Sequence, residues 1–393
     1  MTRKWFSPLV SLLIFSCSYL QFLDGATVTD SIKPGQSITR SETLISAGEI
    51  FELGFFSLGN STNYFVGIWY KKIPVKTVVW VANREQPLTR PPGILTINME
   101  GNLVISDGRT SYSVSELSSI RNSTSSATLL DSGNLILRDS NSDVLWQSFD
   151  YPSHTFLPGM MLGSNNKTGK AWTLTSWRSE EDPAPGSFSM KLDPENSAQF
   201  FIMQGSERHW SSGVWNGRNF SQVPEMRLNR IFNFSYVTNQ NESYFTYDLY
   251  DASIISRWVL DLSGQIQQLS WLEKAQEWNL FWAQPRPQCD VYAICGAFGR
   301  CSQDNMPLCE CMQGFEPRFS TDWNLGDWSG GCMRRTPLQC RNIAKKDKFL
   351  VRPKMRLPKM PQSLAVGSAQ NCELACLNNC SCTAYAYGGD LQL

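Results

Sequence analysis

The chain has 393 residues, 41% of them hydrophobic, and its 35 lysines and arginines balance 35 aspartates and glutamates. This length predicts two to four domains, and the balanced charge excludes the strong positive field that binds nucleic acid or an anionic membrane. The chain has two histidines, His154 and His209, so few positions could supply the imidazole of a Ser-His-Asp or Cys-His site. No P-loop, dinucleotide or kinase motif predicts a cofactor.

The first 25 residues have the pattern of a secretory signal peptide. Arg3 and Lys4 precede an apolar run over residues 9–20, which ends near the small residues Gly25 and Ala26. The run is shorter than the roughly 20 apolar residues that span a bilayer, and no later stretch reaches that length. We therefore predict a secreted, extracellular protein with no membrane span in this chain. A longer form with a transmembrane helix would lie on the outer face of the plasma membrane.

Seven N-x-[ST] triplets support passage through the secretory pathway, where such triplets accept N-linked sugars. The asparagines that we predict to be glycosylated are Asn60, Asn122, Asn166, Asn219, Asn233, Asn241 and Asn379. An oxidising compartment also favours disulfides over metal binding wherever cysteines cluster.

Residues 27–150 are predicted to be almost wholly short strands. Apolar or alternating runs are punctuated by glycine, asparagine and proline, and no segment keeps a helical period. The motif GNLVISD over residues 101–107 returns as GNLILRD over residues 133–139, so each copy places a glycine-asparagine turn before an apolar strand. Stacked repeats of this kind share one core, and the region is predicted to be an all-β sandwich, barrel or prism.

Long motifs that follow one another in order carry a resemblance to a known family. They include VWVANREQP over residues 79–87, LWQSFDYP over residues 145–152 and SGVWNG over residues 212–217. From about residue 27 to about residue 387, the chain resembles plant S-locus glycoproteins and the extracellular part of S-domain receptor-like kinases. The implied fold is mainly β, with tandem bulb-type lectin-like β-prism domains at 27–150 and 151–285, an epidermal-growth-factor-like module at 286–333 and a truncated PAN or apple module at 340–393.

One strand pattern bears on whether the first lectin-like domain binds sugar. Mannose-binding bulb lectins use Q-x-D-x-N-x-V-x-Y, in which polar side chains bond sugar hydroxyls and the valine packs under the ring. The aligned candidates are Asn98, Glu100, Asn102 and Val104, of which the asparagine at 102 and the valine keep the pattern. The copy around Asn134 keeps less of it. Asn102 is then a sugar ligand or, as we favour, an asparagine that bonds its own turn.

The 14 tryptophans leave two interpretations open as well. Aromatic side chains in a β-rich secreted protein either pack between sheets or present flat faces on which sugar rings stack. We favour packing, because indole rings carry a large apolar area that stabilises a core.

Six cysteines fall between residues 289 and 332. So small a segment cannot bury enough apolar surface to fold on its core alone and needs disulfides or a metal. Secretion favours disulfides, whereas in a cytosolic chain Cys309 and Cys311 would be a metal or redox pair. The spacing resembles a growth-factor-like module, and this resemblance implies the bonds Cys289–Cys301, Cys295–Cys309 and Cys311–Cys332.

Residues 341–359 contain eight lysines and arginines against one acid, Asp347. From Lys348 to Leu357 apolar residues alternate with mainly charged ones, which predicts a strand with one buried face. The charged face is either solvated or a docking face for an acidic peptide or partner. In both cases the strand begins the PAN module.

Further cysteines follow in that module. Cys372, Cys376 and Cys380 lie four residues apart, as along one face of a helix, and a strand over residues 383–387 would follow. Zinc binding is the alternative, which the oxidising compartment and the absence of a nearby histidine disfavour. The PAN resemblance implies the bond Cys376–Cys382 and a partner for Cys372 beyond Leu393. Cys340 is then left to bond Cys380, and Cys372 is left unpaired.

These features predict an extracellular protein that binds a ligand without turnover. By resemblance, the ligand is a small cysteine-rich protein or peptide, or a cell-wall or microbial molecule such as a glycan. The implied role is pollen recognition, as in self-incompatibility, or defence signalling, through a homodimer or a pairing with a receptor-like kinase. A mannose-type lectin is the alternative. We predict no enzyme, since the kinase domain of the related receptors is absent, although a glycosidase would need only two carboxylates.

Overall fold

The computed structural model of the protein describes residues 29–89, 93–117, 125–195, 197–228, 230–286, 289, 291, 293–303, 305–338, 348–352, 355 and 362–387. The predicted leader, Asn122, Cys340 and most of the basic segment lie outside these residues. The chain divides into two units, Met1–Tyr292 and Ala293–Leu393.

Three antiparallel sheets of four strands each form the first half of the first unit. The strands are β1 (Ser31–Ile32), β2 (Ser37–Ile38), β3 (Leu44–Ile45), β4 (Phe51–Phe56), β5 (Phe65–Tyr70), β6 (Val78–Val81), β7 (Ile94–Ile97), β8 (Leu103–Ser106), β9 (Ser111–Ser113), β10 (Ser126–Leu129), β11 (Leu135–Arg138) and β12 (Val144–Gln147). The sheet orders are β3-β4-β5-β6, β2-β7-β8-β9 and β1-β10-β11-β12. Leu53, Leu103 and Leu137, one from each sheet, are almost wholly buried in one core. The three sheets thus bury their apolar faces together, and the β-prism is confirmed.

One turn recurs before an inner strand of all three sheets. In the two copies that the sequence repeat shows, Gly101 and Gly133 both have φ of 83°. The third copy precedes β4, where Glu49 has φ of 56° and donates its backbone N–H to the carbonyl of Ser46. A side chain at positive φ costs energy, so glycine is preferred there. Because the third copy has glutamate at this position, the repeat is not recognisable in the sequence.

Twelve further strands build a second prism of three sheets. They are β13 (Thr155–Phe156), β14 (Leu162–Asn165), β15 (Lys170–Trp172), β16 (Leu174–Ser179), β17 (Asp182–Leu192), β18 (Phe200–Gln204), β19 (Glu207–Ser211), β20 (Phe232–Thr238), β21 (Glu242–Leu249), β22 (Ser256–Leu260), β23 (Ile266–Leu272) and β24 (Glu277–Gln284). The sheet orders are β13-β22-β23-β24, β15-β14-β21-β20 and β16-β17-β18-β19. Its core is aromatic: the ring of Phe156 lies 5.2 Å from that of Tyr247 and 6.0 Å from that of Trp258. Packing is therefore the role of Trp258, as favoured above.

Polar contacts join the two prisms within the first unit. The indole N–H of Trp80, on β6, donates to the carbonyl oxygen of Tyr151 at 2.8 Å. The hydroxyl of Ser153 donates to the carbonyl of Val79 at 3.0 Å. Arg84 donates through Nε to the carbonyl of Pro183 at 2.9 Å. These bonds satisfy groups that the junction removes from water, which offsets the cost of burying them.

His154 is buried beside this junction. Its ring centroid lies 4.7 Å from that of Trp177, and its two nitrogens contact the hydroxyls of Ser153 and Thr155. Burial, followed by the positive charges of Arg257 and Arg84, lowers the pKa of His154 well below its ordinary value of 6.5. The folded protein therefore holds this buried imidazole neutral.

The second unit has little regular structure apart from short strands and disulfides. Its strands are β25 (Gly299–Cys301), β26 (Cys309–Cys311), β27 (Phe315–Pro317) and β28 (Cys332–Arg334), and its helices are α1 (Ser320–Asn324) and α2 (Ala369–Leu377). The structure contains the bonds Cys295–Cys309, Cys311–Cys332 and Cys376–Cys382, which are pairs that the resemblance implies. Cys289 and Cys301 are each disulfide-bonded too. Few hydrophobic side chains are buried here, so the disulfides take the place of a core.

The PAN region differs from the sequence predictions in two respects. Helix α2 ends at Leu377 and the chain turns, so Cys380 does not continue along the helix face. Cys380 is exposed and, like Cys372, has a free thiol in the structure, while the cysteine expected to bond Cys380, Cys340, lies outside the described residues. Residues 348–352 and 383–387 are not strands, although the rings of Phe349 and Tyr385 pack edge-on at 4.8 Å. The described residues offer these segments no neighbouring strand, and a strand without backbone partners is unstable.

We expect Cys295→Ser to reduce secretion strongly. The Cys295–Cys309 bond closes a loop of 14 residues, and its loss costs about 3 kcal/mol in the chain-entropy model. The measurement is the amount of secreted monomer from a eukaryotic host, with Cys372→Ser as the control that removes a free thiol. Equal secretion of Cys295→Ser and the control would contradict this role.

Acid should destabilise the protein through His154. Its folded-state pKa lies below that of the unfolded chain, so stability is complete above about pH 6.5 and falls as the unfolded state takes up a proton below it. The loss grows as the pH falls further below that value. Denaturant unfolding between pH 5 and 7 should therefore show a steeper decline for the wild type than for His154→Gln. His209→Gln is the control, and an unchanged slope for His154→Gln would refute the assignment.

Candidate functional site

The four predicted sugar-contacting residues lie in and after one turn, and the side-chain oxygens of two of them, Asn98 and Asn102, are used internally. Asn98 Oδ1 accepts the backbone N–H of Asn102 at 2.8 Å. Asn102 Oδ1 accepts the N–H of Leu117 at 2.9 Å and the hydroxyl of Ser115 at 3.3 Å. Glu100 is exposed in the turn, and Val104 is buried rather than open to a sugar ring. The Asn102 side chain thus accepts a hydrogen bond from Leu117, 15 residues away, and not from its own turn, which is the bond we favoured. The turn is bonded instead by the side chain of Asn98.

The second repeat has the same network. Asn134, which is 7% exposed, accepts the hydroxyl of Ser148 and the N–H of Phe149, each at 3.2 Å. Its Nδ2 donates to Gln147 Oε1 at 2.9 Å. The serine oxygen in turn accepts the N–H of the leucine that begins the inner strand, Leu135 here and Leu103 in the first repeat. The asparagine of each repeat therefore holds strands together, and its side-chain oxygen already accepts two internal hydrogen bonds.

A groove of about 300 Å³ lies in the first unit, and both prisms contribute to its lining. Its aromatic side chains stand next to one another: the rings of Trp80 and Trp146 lie 6.0 Å apart, and Tyr151 stacks on Trp146 at 5.7 Å. Trp80 and Trp146 are buried, whereas the Tyr151 side chain is about half exposed, at 52%. Tyr112 completes the aromatic part of the lining.

Charged side chains line the same groove. Arg84 Nη2 donates to the carbonyls of Ser176 at 3.0 Å and Thr175 at 3.3 Å, and burial lowers the pKa of Arg84 to about 10. Asp150 accepts the indole N–H of Trp172 at 3.1 Å and forms an ion pair with Lys170 at 2.9 Å. These two lining charges are thus held by protein partners.

Glu85 differs from these residues. It lines the groove, is exposed, and forms no ion pair with any residue that the structure describes. Burial, and then the negative charges of Glu85 and Glu116, raise the pKa of Tyr112. The negative charges of Glu85 and Glu116 therefore both favour the protonated, neutral form of Tyr112, which lines the groove.

Sequence reasoning missed this groove because its parts come from separated motifs. The motif at 79–87 supplies Trp80 and Glu85, and the motif at 145–152 supplies Trp146 and Tyr151. Both motifs supported the family resemblance, but nothing in either one shows that they meet in space.

Five of the predicted glycosylation sites present exposed asparagines: Asn60, Asn166, Asn233, Asn241 and Asn379. Asn219 does not. It is 1% exposed, its Nδ2 donates to the backbone carbonyl of Phe220, and its Oδ1 accepts the side chain of Asn216 at 3.1 Å. A glycan is attached through Nδ2, which is buried and hydrogen-bonded here, so this fold disfavours a glycan at Asn219. None of the six asparagines that the structure describes lines the groove.

The cysteine module offers no metal site in the described part of the chain. Cys295, Cys301 and Cys309 bring three sulfurs within 4.8 Å of one another, yet each is disulfide-bonded and is no thiolate ligand.

Among the described residues, no helix is both long enough and apolar enough to cross a membrane.

Comparisons with known proteins agree with this architecture. Family models match for a D-mannose binding lectin over residues 77–178, an S-locus glycoprotein domain over residues 210–319 and a PAN-like domain over residues 340–392. Among solved structures, a monomeric mannose-binding lectin from Gastrodia elata is 16% identical and covers 30% of this chain and 96% of its own, with a TM-score of 0.24. The S-locus glycoprotein match extends into the cysteine-rich segment up to residue 319, and the PAN-like match begins after the last cysteine of that segment, Cys332.

Similar curated proteins cover most of the chain. A G-type lectin S-receptor-like serine/threonine-protein kinase of Arabidopsis thaliana is 45% identical over 93% of this chain, which spans 45% of that kinase. The chain thus spans less than half the length of that relative. An S-locus-specific glycoprotein of Brassica oleracea var. alboglabra is 41% identical over 89% of this chain and 81% of its own length. With identity of this level over most of both proteins, the chain belongs to the S-locus glycoprotein family.

Proposed function

We propose that this protein is a secreted recognition glycoprotein that binds a peptide or protein ligand in pollen recognition or defence signalling. Its family membership supports an extracellular recognition role of the S-domain type. One observation favours a peptide over mannose: the side-chain oxygens of Asn98, Asn102 and Asn134 already accept backbone N–H groups of the protein. A partner receptor-like kinase or a second copy of this chain would pass the binding event on.

The proposed domain limits remain 27–150, 151–285, 286–333 and 340–393. They are supported by the break between the two sets of three sheets, which falls after Gln147 and before Thr155. The disulfides then follow in a region without buried strands.

The chemical nature of the ligand can be tested on the whole secreted chain. Extracellular fluid from the source tissue is assayed for binding to the immobilised protein, before and after digestion with protease or with glycosidases. We expect protease to abolish binding and glycosidases to leave it intact. The opposite pattern would establish the lectin alternative and reject the peptide proposal.

Mannose binding can be tested directly with Asn102→Ala. Because this change leaves the N–H of Leu117 without its acceptor, we expect a loss of about 1 to 3 kcal/mol of unfolding free energy. A mannose-oligosaccharide array should give no signal with the wild type or the variant. Glu100→Ala, at an exposed position of the same turn, is the control for stability. Mannose binding by the wild type that disappears in a folded Asn102→Ala protein would favour the lectin.

Glycan mapping should separate Asn219 from the exposed sites. We expect a glycan at Asn166 and none at Asn219, because Asn219 Nδ2 is buried against backbone carbonyls. Asn219→Gln should lower the unfolding free energy by about 1 to 3 kcal/mol without a loss of glycan mass. Asn166→Gln is the matched variant and should remove one glycan with little effect on stability. A glycopeptide that contains modified Asn219 from folded, secreted protein would contradict this view.

A further inference from the structure

Strand β20 is the open edge of one sheet of the second prism. It is the last strand in the order β15-β14-β21-β20, and it pairs with β21 without a register shift. At its two ends the N–H of Asn239 donates to the carbonyl of Glu242, and the N–H of Tyr250 donates to that of Ile231. Hydrogen-bonded pairs alternate along an antiparallel ladder, so the odd-numbered residues of β20 bond β21. The even-numbered residues turn their backbone groups outward.

These outward groups form an unpaired row. Within the described part of the chain, the backbone N–H and C=O of Phe234, Tyr236 and Thr238 have no hydrogen-bond partner. The strand reads FNFSYVT, seven residues that are mainly aromatic or β-branched, with no charge, proline or glycine. A segment of this composition with unpaired backbone groups is a template on which another chain can add a strand.

The other edge strands of the two prisms are short, or they are charged and irregular. None of the six edge strands of the first prism is longer than four residues, and β13 and β15 have two and three. The longer edges β16, β19 and β24 each have a register shift in their pairing. They also contain charged residues, which are Arg178, Glu207 with Arg208, and Glu277, respectively. Of the edge strands that the structure describes, β20 alone is longer than four residues and has neither protection.

Strand β20 has instead a glycosylation triplet on its outer face. Asn233 and Ser235 are exposed, whereas Phe232 points into the core of the prism. An N-linked glycan is bulky, and an added strand would lie only about 5 Å from β20. A second exposed asparagine of such a triplet, Asn241, lies in the turn after β20. Sugars at these positions stand where an added strand would lie.

We propose that an N-linked glycan on Asn233 covers the edge of β20 and prevents it from pairing with β20 of a second copy of this chain. Two copies can pair antiparallel about Tyr236, so that the outward groups of Phe234 in one copy meet those of Thr238 in the other. No charge in either strand opposes this pairing. The glycan thus does on β20 what charges and register shifts do on the other long edges. This inference does not depend on the nature of the ligand.

The test compares two ways to remove the glycan from the whole secreted chain. Ser235→Ala destroys the triplet and leaves the edge uncharged, whereas Ser235→Lys destroys it and places a charge on the edge. Asn60→Gln, at an exposed asparagine of the first prism, is the control that loses a glycan elsewhere. Glycopeptide mass spectrometry establishes the glycan at Asn233 in the wild type. The free thiols of Cys372 and Cys380 are alkylated first, so that disulfide-linked dimers do not form.

Self-association is measured by sedimentation equilibrium between about 1 and 100 μM protein. We expect Ser235→Ala to self-associate with a dissociation constant at least about tenfold below that of the wild type. Asn60→Gln and Ser235→Lys should stay close to the wild type. In Ser235→Ala, amide hydrogen exchange at Phe234, Tyr236 and Thr238 should slow as the concentration rises, because pairing uses these groups.

Asn233→Gln removes the same glycan while it keeps Ser235, and it should behave like Ser235→Ala. This second variant keeps the test decisive if Ser235→Ala is poorly secreted, and unfolding midpoints establish that each variant is folded. An unmodified Asn233 in folded, secreted wild type would overturn the proposal. So would wild-type self-association in both uncharged variants, or association of Ser235→Lys as strong as that of Ser235→Ala. Slowed exchange outside β20 alone would assign the association to another surface and reject this one.

Discussion

The hydrogen bonds of one asparagine in each repeat determine both how the first prism is built and what it can bind. Each asparagine, Asn102 or Asn134, lies in the turn before an inner strand, and its side-chain oxygen accepts hydrogen bonds from a serine and a backbone N–H that follow the next strand. The oxygen of that serine in turn accepts the backbone N–H of the first residue of the inner strand. An amide oxygen with two internal donors offers little to a sugar hydroxyl, since a new partner would break a bond made in the protein interior. In this lectin-like framework, the side-chain oxygen of the aligned asparagine is used to hold the framework together.

The junction between the prisms has a similar double role. Backbone carbonyls at the junction accept hydrogen bonds from the side chains of Arg84, Trp80 and Ser153. The imidazole of His154 is buried beside these bonds and is neutral. These contacts fix the two prisms against each other over a short connection, because the second prism begins eight residues after the first one ends. The groove is a consequence of this fit. Its aromatic and acidic side chains come from the first prism and the connection, and the second prism completes the lining with Ala171, Thr173, Thr175 and Pro185.

Much of the architecture could be predicted from the sequence because its signals are local. The period of two in the strands, the glycine-asparagine turns and the clustered cysteines each reflect physics that acts within a few residues. The third copy of the prism turn was missed because Glu49 takes the positive φ that Gly101 and Gly133 take elsewhere, and strand packing outweighs its cost. The predicted strands near Phe349 and Tyr385 failed for the opposite reason, because alternation alone supplies no neighbouring strand.

The sequence by itself determined the β-prism class, the cysteine-rich segment and the family, because strand period, turn residues and long motifs are all readable along the chain. The tertiary structure alone decided which polar groups are free to act. A sequon does not show that Asn219 is buried, a helical spacing does not show that α2 ends before Cys380, and an aligned asparagine does not show that Leu117 already uses its oxygen. Burial and hydrogen-bond partners depend on residues that are distant in sequence, so the assembled fold is needed to tell a structural side chain from a binding one.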